Sequence, residues 1–135
     1  MHTTTTPRSS LLRCRERLRS RWERLHIDVR CALHAGEPAR IRQYLHCGHK
    51  LAALGAIDEV AAQAQMLQTL LHTARDAELP NFWRSACLEL TAVPLLRLRH
   101  LIGLHDPLAM QAIEAAVNTC ARRLPLPRQH LGAHA

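Results

Sequence analysis

The segment from Ser10 to His34 carries a hydrophobic period that only a long α-helix can use. Leu11, Leu18, Leu25 and Ala32 recur every seven residues, and Trp22 and Val29 form a second row beside them. At 100° per residue these six positions fall within about 80° of one another, a narrow seam for packing. Arg13, Arg17, Arg21 and Arg24 are read as a stripe on the opposite face. No other segment is as long or as strongly two-faced, so the other helices are expected to assemble on this one. Ser10 is placed to cap it, and Gly36 suits the left-handed position after its last turn.

The rest of the chain also reads as helix. Pro38 fits the first turn of a second helix, whose stripe is Ile41, Tyr44, Leu45, Leu51 and Leu54 and which Gly55 ends. Gly48 falls in its middle, where a close helix crossing would explain a missing side chain. Asp58 is placed to cap a third helix over Val60, Ala64, Leu67, Leu71 and Ala74, which Leu79-Pro80 stops. Asn81 heads a fourth, interrupted by Pro94, whose leucine-rich continuation to Ile102 should be the most buried piece. Asp106-Pro107 opens the last helix, and Pro125 ends it.

Aromatic residues are only 3% of the 135-residue chain, and Leu and Ala supply most of its 47% hydrophobic content. High helix propensity and low strand propensity make the expected class all-α. The architecture expected is an up-and-down helical bundle of four main helices, the fourth kinked or split at Pro94, in a single domain over residues 10–124. Residues 1–9 are expected to be a disordered tail and 125–135 a loose one.

Charge is distributed unevenly. Residues 1–50 hold ten Arg and one Lys against Glu16, Glu23, Asp28 and Glu37, which accounts for the net charge of +7; the remainder is balanced. A basic face attracts nucleic acid, anionic lipid or an acidic protein partner. Guanidinium forks at Arg13, Arg17, Arg21 and Arg24 suit phosphate, but without stacking aromatics between them they would bind nucleic acid without reading its sequence. A preference for Arg over Lys also follows from GC-rich coding, and Glu16 and Glu23 lie one turn from Arg19, as on an ordinary solvated face.

Chemistry-bearing motifs are sparse. Cys31 with His34, and His46 with His49, form two pairs at spacing three, which could converge across a helical hairpin into a zinc site. Cys47, beside His46 and His49, is the one candidate for an activated thiolate. His49 to Ala56 resembles, over eight residues, the phosphoacceptor segment of histidine phosphotransfer domains, four-helix bundles with an exposed phosphorylatable His. Ala52 and Ala53 stand where that family has its Lys and its Gly, and the family's acidic surface is missing. Nucleophile elbows, phosphate-cradling glycine loops and His-Glu-x-x-His pairs do not occur.

The five cysteines lack paired spacing, no apolar run approaches a membrane span, and Met1 to Ser10 has no apolar signal core. The expectation is therefore a cytoplasmic, non-enzymatic interaction module (an adaptor, chaperone or regulator) without cofactor, zinc being the alternative, and without membrane attachment. It would dock a protein partner, acidic by charge complementarity, through Arg13, Arg17, Arg21 and Arg24. The heptad leucines also allow pairing with a second copy in a homodimer. The alternative function is a nucleic-acid-associated regulator using the same arginines.

Overall fold

The structure, a computed structural model, describes residues 7–124. It contains helices α1 (Pro7–Cys31), α2 (Ala39–Ala53), α3 (Glu59–Arg75), α4 (Asn81–Leu90), α5 (Ala92–Ile102) and α6 (Pro107–Arg123). The described residues form helices and their connections only. With α4 and α5 counted as one broken helix there are five, not the four expected. The break falls at Thr91, three residues before Pro94. The Pro94 ring meets the carbonyl four residues back, at Leu90, and has no N–H to offer it, so the ladder must open there. The Thr91 hydroxyl donates to the Leu88 carbonyl across the break.

Helix α1 begins at Pro7, earlier than the Ser10 cap would place it and inside the expected tail of residues 1–9; the first six residues and the expected tail 125–135 lie outside the described residues.

The central helix is α3, not α1. It touches every other helix, and α1 and α2 also pack on each other. Ala62, Met66 and Leu70 of α3 enter one cluster, with Trp22, Val29, Tyr44 and Trp83 from α1, α2 and α4. Leu67, Leu71 and Ala74 enter a second, with Leu88, Leu98 and Val117 from α4, α5 and α6. A helix that buries two faces must be apolar or neutral nearly all round. In α3 only Glu59 and Arg75, at its two ends, are acidic or arginine residues; Gln63, Thr69 and Thr73 are neutral and buried, and the exposed strip carries Gln65, Gln68 and His72. The leucine-rich α5, expected to be the most buried piece, buries only Pro94 and Leu98, and Leu96 is 53% exposed.

Of the expected helix caps, those at Asp58 and Asp106 form and those at Ser10 and Asn81 do not. The Asp58 carboxylate accepts from the Ala61 N–H at 3.0 Å, and the Asp106 carboxylate from the Ala109 N–H at 3.1 Å, with Pro107 in the first turn. Asn81 is instead the first helical residue of α4, with Pro80 in the cap position. Gly55, at φ +71°, closes α2: its N–H reaches the Ala52 carbonyl and that of Ala56 reaches the Leu51 carbonyl. This pair of bonds is a Schellman motif.

Helix α1 ends in the same motif, but on Ala32 at φ 51° rather than on Gly36. The Ala32 N–H meets the Val29 carbonyl, and that of Leu33 meets the Asp28 carbonyl. A left-handed alanine carries a strain of about 1 kcal/mol that glycine avoids. Ala32→Gly is therefore expected to raise the unfolding free energy by about 0.5 kcal/mol after its added unfolded-state entropy. Gly36→Ala, at an exposed position of ordinary φ, should lose nothing; urea denaturation of the two variants checks the pair.

A candidate docking face on helix 1

Several arginines are engaged with other elements before any partner arrives. Arg15 and Arg19, on α1, donate to the Leu54 and Ala56 carbonyls at the end of α2, each at 2.5 Å, which supplies acceptor-rich backbone with positive charge. Arg30 pairs with Asp76 at 2.8 Å, beyond the end of α3, and holds that carboxyl below its ordinary range, helped by the Glu78 N–H. Arg97 pairs with Glu59 at 2.6 Å, again lowering the carboxyl pKa, and Arg99 pairs with Glu114 at 2.7 Å. Arg19 thus turns to the backbone of the following loop rather than to Glu16 or Glu23.

Arg17, Arg21 and Arg24 are exposed and make no ion pair among the described residues. With Arg13 and Glu16, Arg17 and Arg24 surround a shallow surface cleft. The stripe does not lie opposite the apolar seam as expected. At 100° per residue Arg21 is only about 40° from Leu25, and Arg17 about 80°. Both consequently flank the seam and rim a groove of about 590 Å³ between α1 and α2. Lys50 joins them from α2, and the floor is Leu11, Leu18, Ala53 and Leu54.

That groove exists because α1 outruns its cover. Along the heptad, Leu25 is buried, Leu18 is half-buried and Leu11 is 42% exposed. Nothing in a seven-residue repeat tells a leucine that faces a core from one that extends past it, so sequence reasoning could find the seam but not the point where it becomes surface.

The zinc candidates do not converge. Because α1 stops at Cys31, His34 lies in the following turn rather than one turn further along a helix face. Its Nδ1 donates to both Asp28 carboxylate oxygens at 3.1 Å. On α2, His46 is exposed, whereas His49 is half-buried with Nε2 3.3 Å from the Gln63 side-chain oxygen, and so lacks the exposure of a phosphoacceptor. Among the described residues no three His, Cys, Asp or Glu side chains form a metal-ligand group. Cys47 is not an activated thiolate: it is buried, donates to the Leu18 carbonyl at 3.3 Å, and burial pushes its pKa up against the lowering effect of Arg21 and Lys50.

One polar network escaped the sequence reading. The Thr69 hydroxyl donates to the Gln65 carbonyl at 2.9 Å, and the buried Tyr44 hydroxyl donates to Thr69 Oγ1 at 3.1 Å. His26 Nδ1 lies 3.1 Å from the same oxygen, so it must supply its own proton. Burial, and then the Arg30 charge, lower the His26 pKa from 6.5. The folded state thus favours neutral imidazole. Its stabilisation is complete above about pH 6.5 and is lost as pH falls through the lower folded value. The urea midpoint of wild type should decline over that interval, and His26→Gln should lose that part of the decline.

The described chain is thus an all-helical assembly centred on α3, with a basic, partly apolar face on α1 and no helix long and apolar enough to cross a membrane. It matches no protein-family model, and no curated protein or solved structure shows significant similarity to it.

Proposed function

We propose that the protein is a non-enzymatic interaction module that docks an acidic, amphipathic helix of a partner protein in the groove between the N-terminal half of α1 and the end of α2. The observation that carries this reading is the emergence of the apolar seam between Arg17, Arg21 and Lys50, which have no ion pair among the described residues. Leu11 and Leu18 offer a floor to an apolar helix face, and Arg17, Arg21 and Lys50 offer rims to flanking carboxylates. Arg13 and Arg24 extend the positive field and steer encounter more than they add affinity. Phosphate binding alone would not need the exposed leucines.

The test is fluorescence anisotropy with a synthetic amphipathic peptide of about 18 residues, Leu on one face and Glu on both flanks. A labelled duplex and a labelled single strand are run beside it across a salt series. Arg13→Gln/Arg17→Gln/Arg21→Gln/Arg24→Gln and Leu11→Asp should each weaken the peptide at least tenfold, about 1.4 kcal/mol, with the fold unchanged by circular dichroism. Duplex binding lost in the arginine variant but indifferent to Leu11→Asp would overturn the reading in favour of nucleic acid. A salt-resistant dimer abolished by Leu11→Asp would assign the groove to a second copy.

A further inference from the structure

The turn that joins α1 to α2 builds a second site, which shares only Arg21 and Arg24 with the docking face. A cleft of about 670 Å³ opens there between the last turns of α1 and the first of α2. At its base Asp28 is only 5% exposed, and a buried carboxylate is costly unless it is paired. Two groups satisfy it: His34 Nδ1 and, at 3.3 Å, Arg40 Nη1.

This pairing fixes the imidazole. With Nδ1 committed to Asp28, Nε2 lies across the ring from the carboxylate and has no hydrogen-bond partner among the described residues. A carboxylate on one ring nitrogen fixes the orientation of the ring and hence the direction of the other nitrogen. Arg21 and Arg24 line the same cleft and have no ion pair among the described residues. The rest of the lining is mixed: Glu37, paired with Arg40 at 3.5 Å, and Gln43 are polar, while Ile27, 53% exposed, and Leu33, 61% exposed, supply apolar surface.

Two unpaired guanidiniums and an oriented imidazole nitrogen on one side, and two exposed aliphatic side chains on the other, define an amphiphilic anion. Two unpaired positive charges match a dianion better than a single carboxylate, and guanidinium forks match its tetrahedral oxygens. We propose that this cleft binds a phosphate monoester whose ester group is apolar or aromatic, the phosphate held by Arg21, Arg24 and the Nε2–H of His34 in its doubly protonated imidazolium form, with Asp28 as counter-ion on Nδ1, and the ester body against Ile27 and Leu33.

The probe is phenyl phosphate, titrated into ¹⁵N-labelled protein and followed by amide chemical shifts, with inorganic phosphate and benzoate as separate arms. Saturable shifts are expected at Ile27, Leu33, His34 and Arg40. Affinity should be roughly tenfold lower for inorganic phosphate, which lacks the apolar body, and for benzoate, which lacks the second charge. Ile27→Ser changes an exposed side chain and leaves the core intact, whereas His34→Ala leaves the buried Asp28 to Arg40 alone and is checked for retained fold by circular dichroism; each should weaken phenyl phosphate severalfold. Arg13→Gln/Arg17→Gln should leave this binding unchanged while weakening the docking peptide, which separates the two sites. Equal affinity for all three anions, no effect of His34→Ala, or shifts confined to Arg13–Arg17 would each overturn the proposal.

Discussion

Trp83→Ala is expected to destabilise the protein by about 4 kcal/mol, a loss at the upper end for one buried side chain. Trp83 is fully buried in the first cluster, and its indole N–H donates to the Val29 carbonyl at 2.9 Å. It is the point at which α4 grips the end of α1. The alanine variant removes the ring, opens a cavity among Val29, Cys87 and their neighbours, and takes one of two donors from the carbonyl that also accepts from Ala32. With total stabilities of about 5–15 kcal/mol for a domain, such a loss takes a large share. Trp83→Phe keeps most of the apolar contact and gives up the hydrogen bond, so it should cost about 1–2 kcal/mol. Urea unfolding followed at 222 nm measures both; equal losses in the two variants would show that the hydrogen bond, not the ring volume, holds this joint.

Gly48→Val should cost about 3 kcal/mol for the opposite reason, overpacking. Gly48 is buried mid-helix in α2, where a Cβ would stand 2.5 Å from Met66 Sδ and 2.9 Å from Trp22 Nε1. The glycine lets three helices meet, since Trp22 belongs to α1 and Met66 to α3. Trp22 cannot retreat easily, because it stacks on Tyr44 with ring centroids 5.9 Å apart. Met66 can, so Gly48→Ala should be milder, about 1–2 kcal/mol after the gain of up to about 1 kcal/mol in helix propensity. The same alanine placed in a Met66→Ala background should recover part of its cost. A double-mutant cycle reads that coupling directly, and additivity of the two substitutions would mean that the clash falls on Trp22 alone.

Neither effect follows from composition, yet Gly48 was visible in the sequence as an anomaly. A glycine inside a good helical pattern costs stability, and a close crossing is the ordinary compensation. The buried role of Trp83 was half visible: its place on an apolar stripe was legible, but not its bond to a carbonyl 54 positions away.

The same division runs through the candidate sites. The sequence by itself determined the helical class, the caps at Asp58 and Asp106, the glycine stop at Gly55, and the confinement of excess positive charge to the first 50 residues. These depend on residue type or on bonds between positions a few residues apart, where chain geometry leaves little choice. Tertiary structure decided which helix is central, which arginines are engaged, where the leucine seam emerges as a groove, and that Asp28, His34 and Arg40 close on one another. Arg15 and Arg17 are the same residue type two positions apart, yet one reaches the Leu54 carbonyl and the other rims an open groove. A side chain's partner is set by what packing brings within a few ångströms of it, and that proximity is a property of the assembled helices, not of the local pattern.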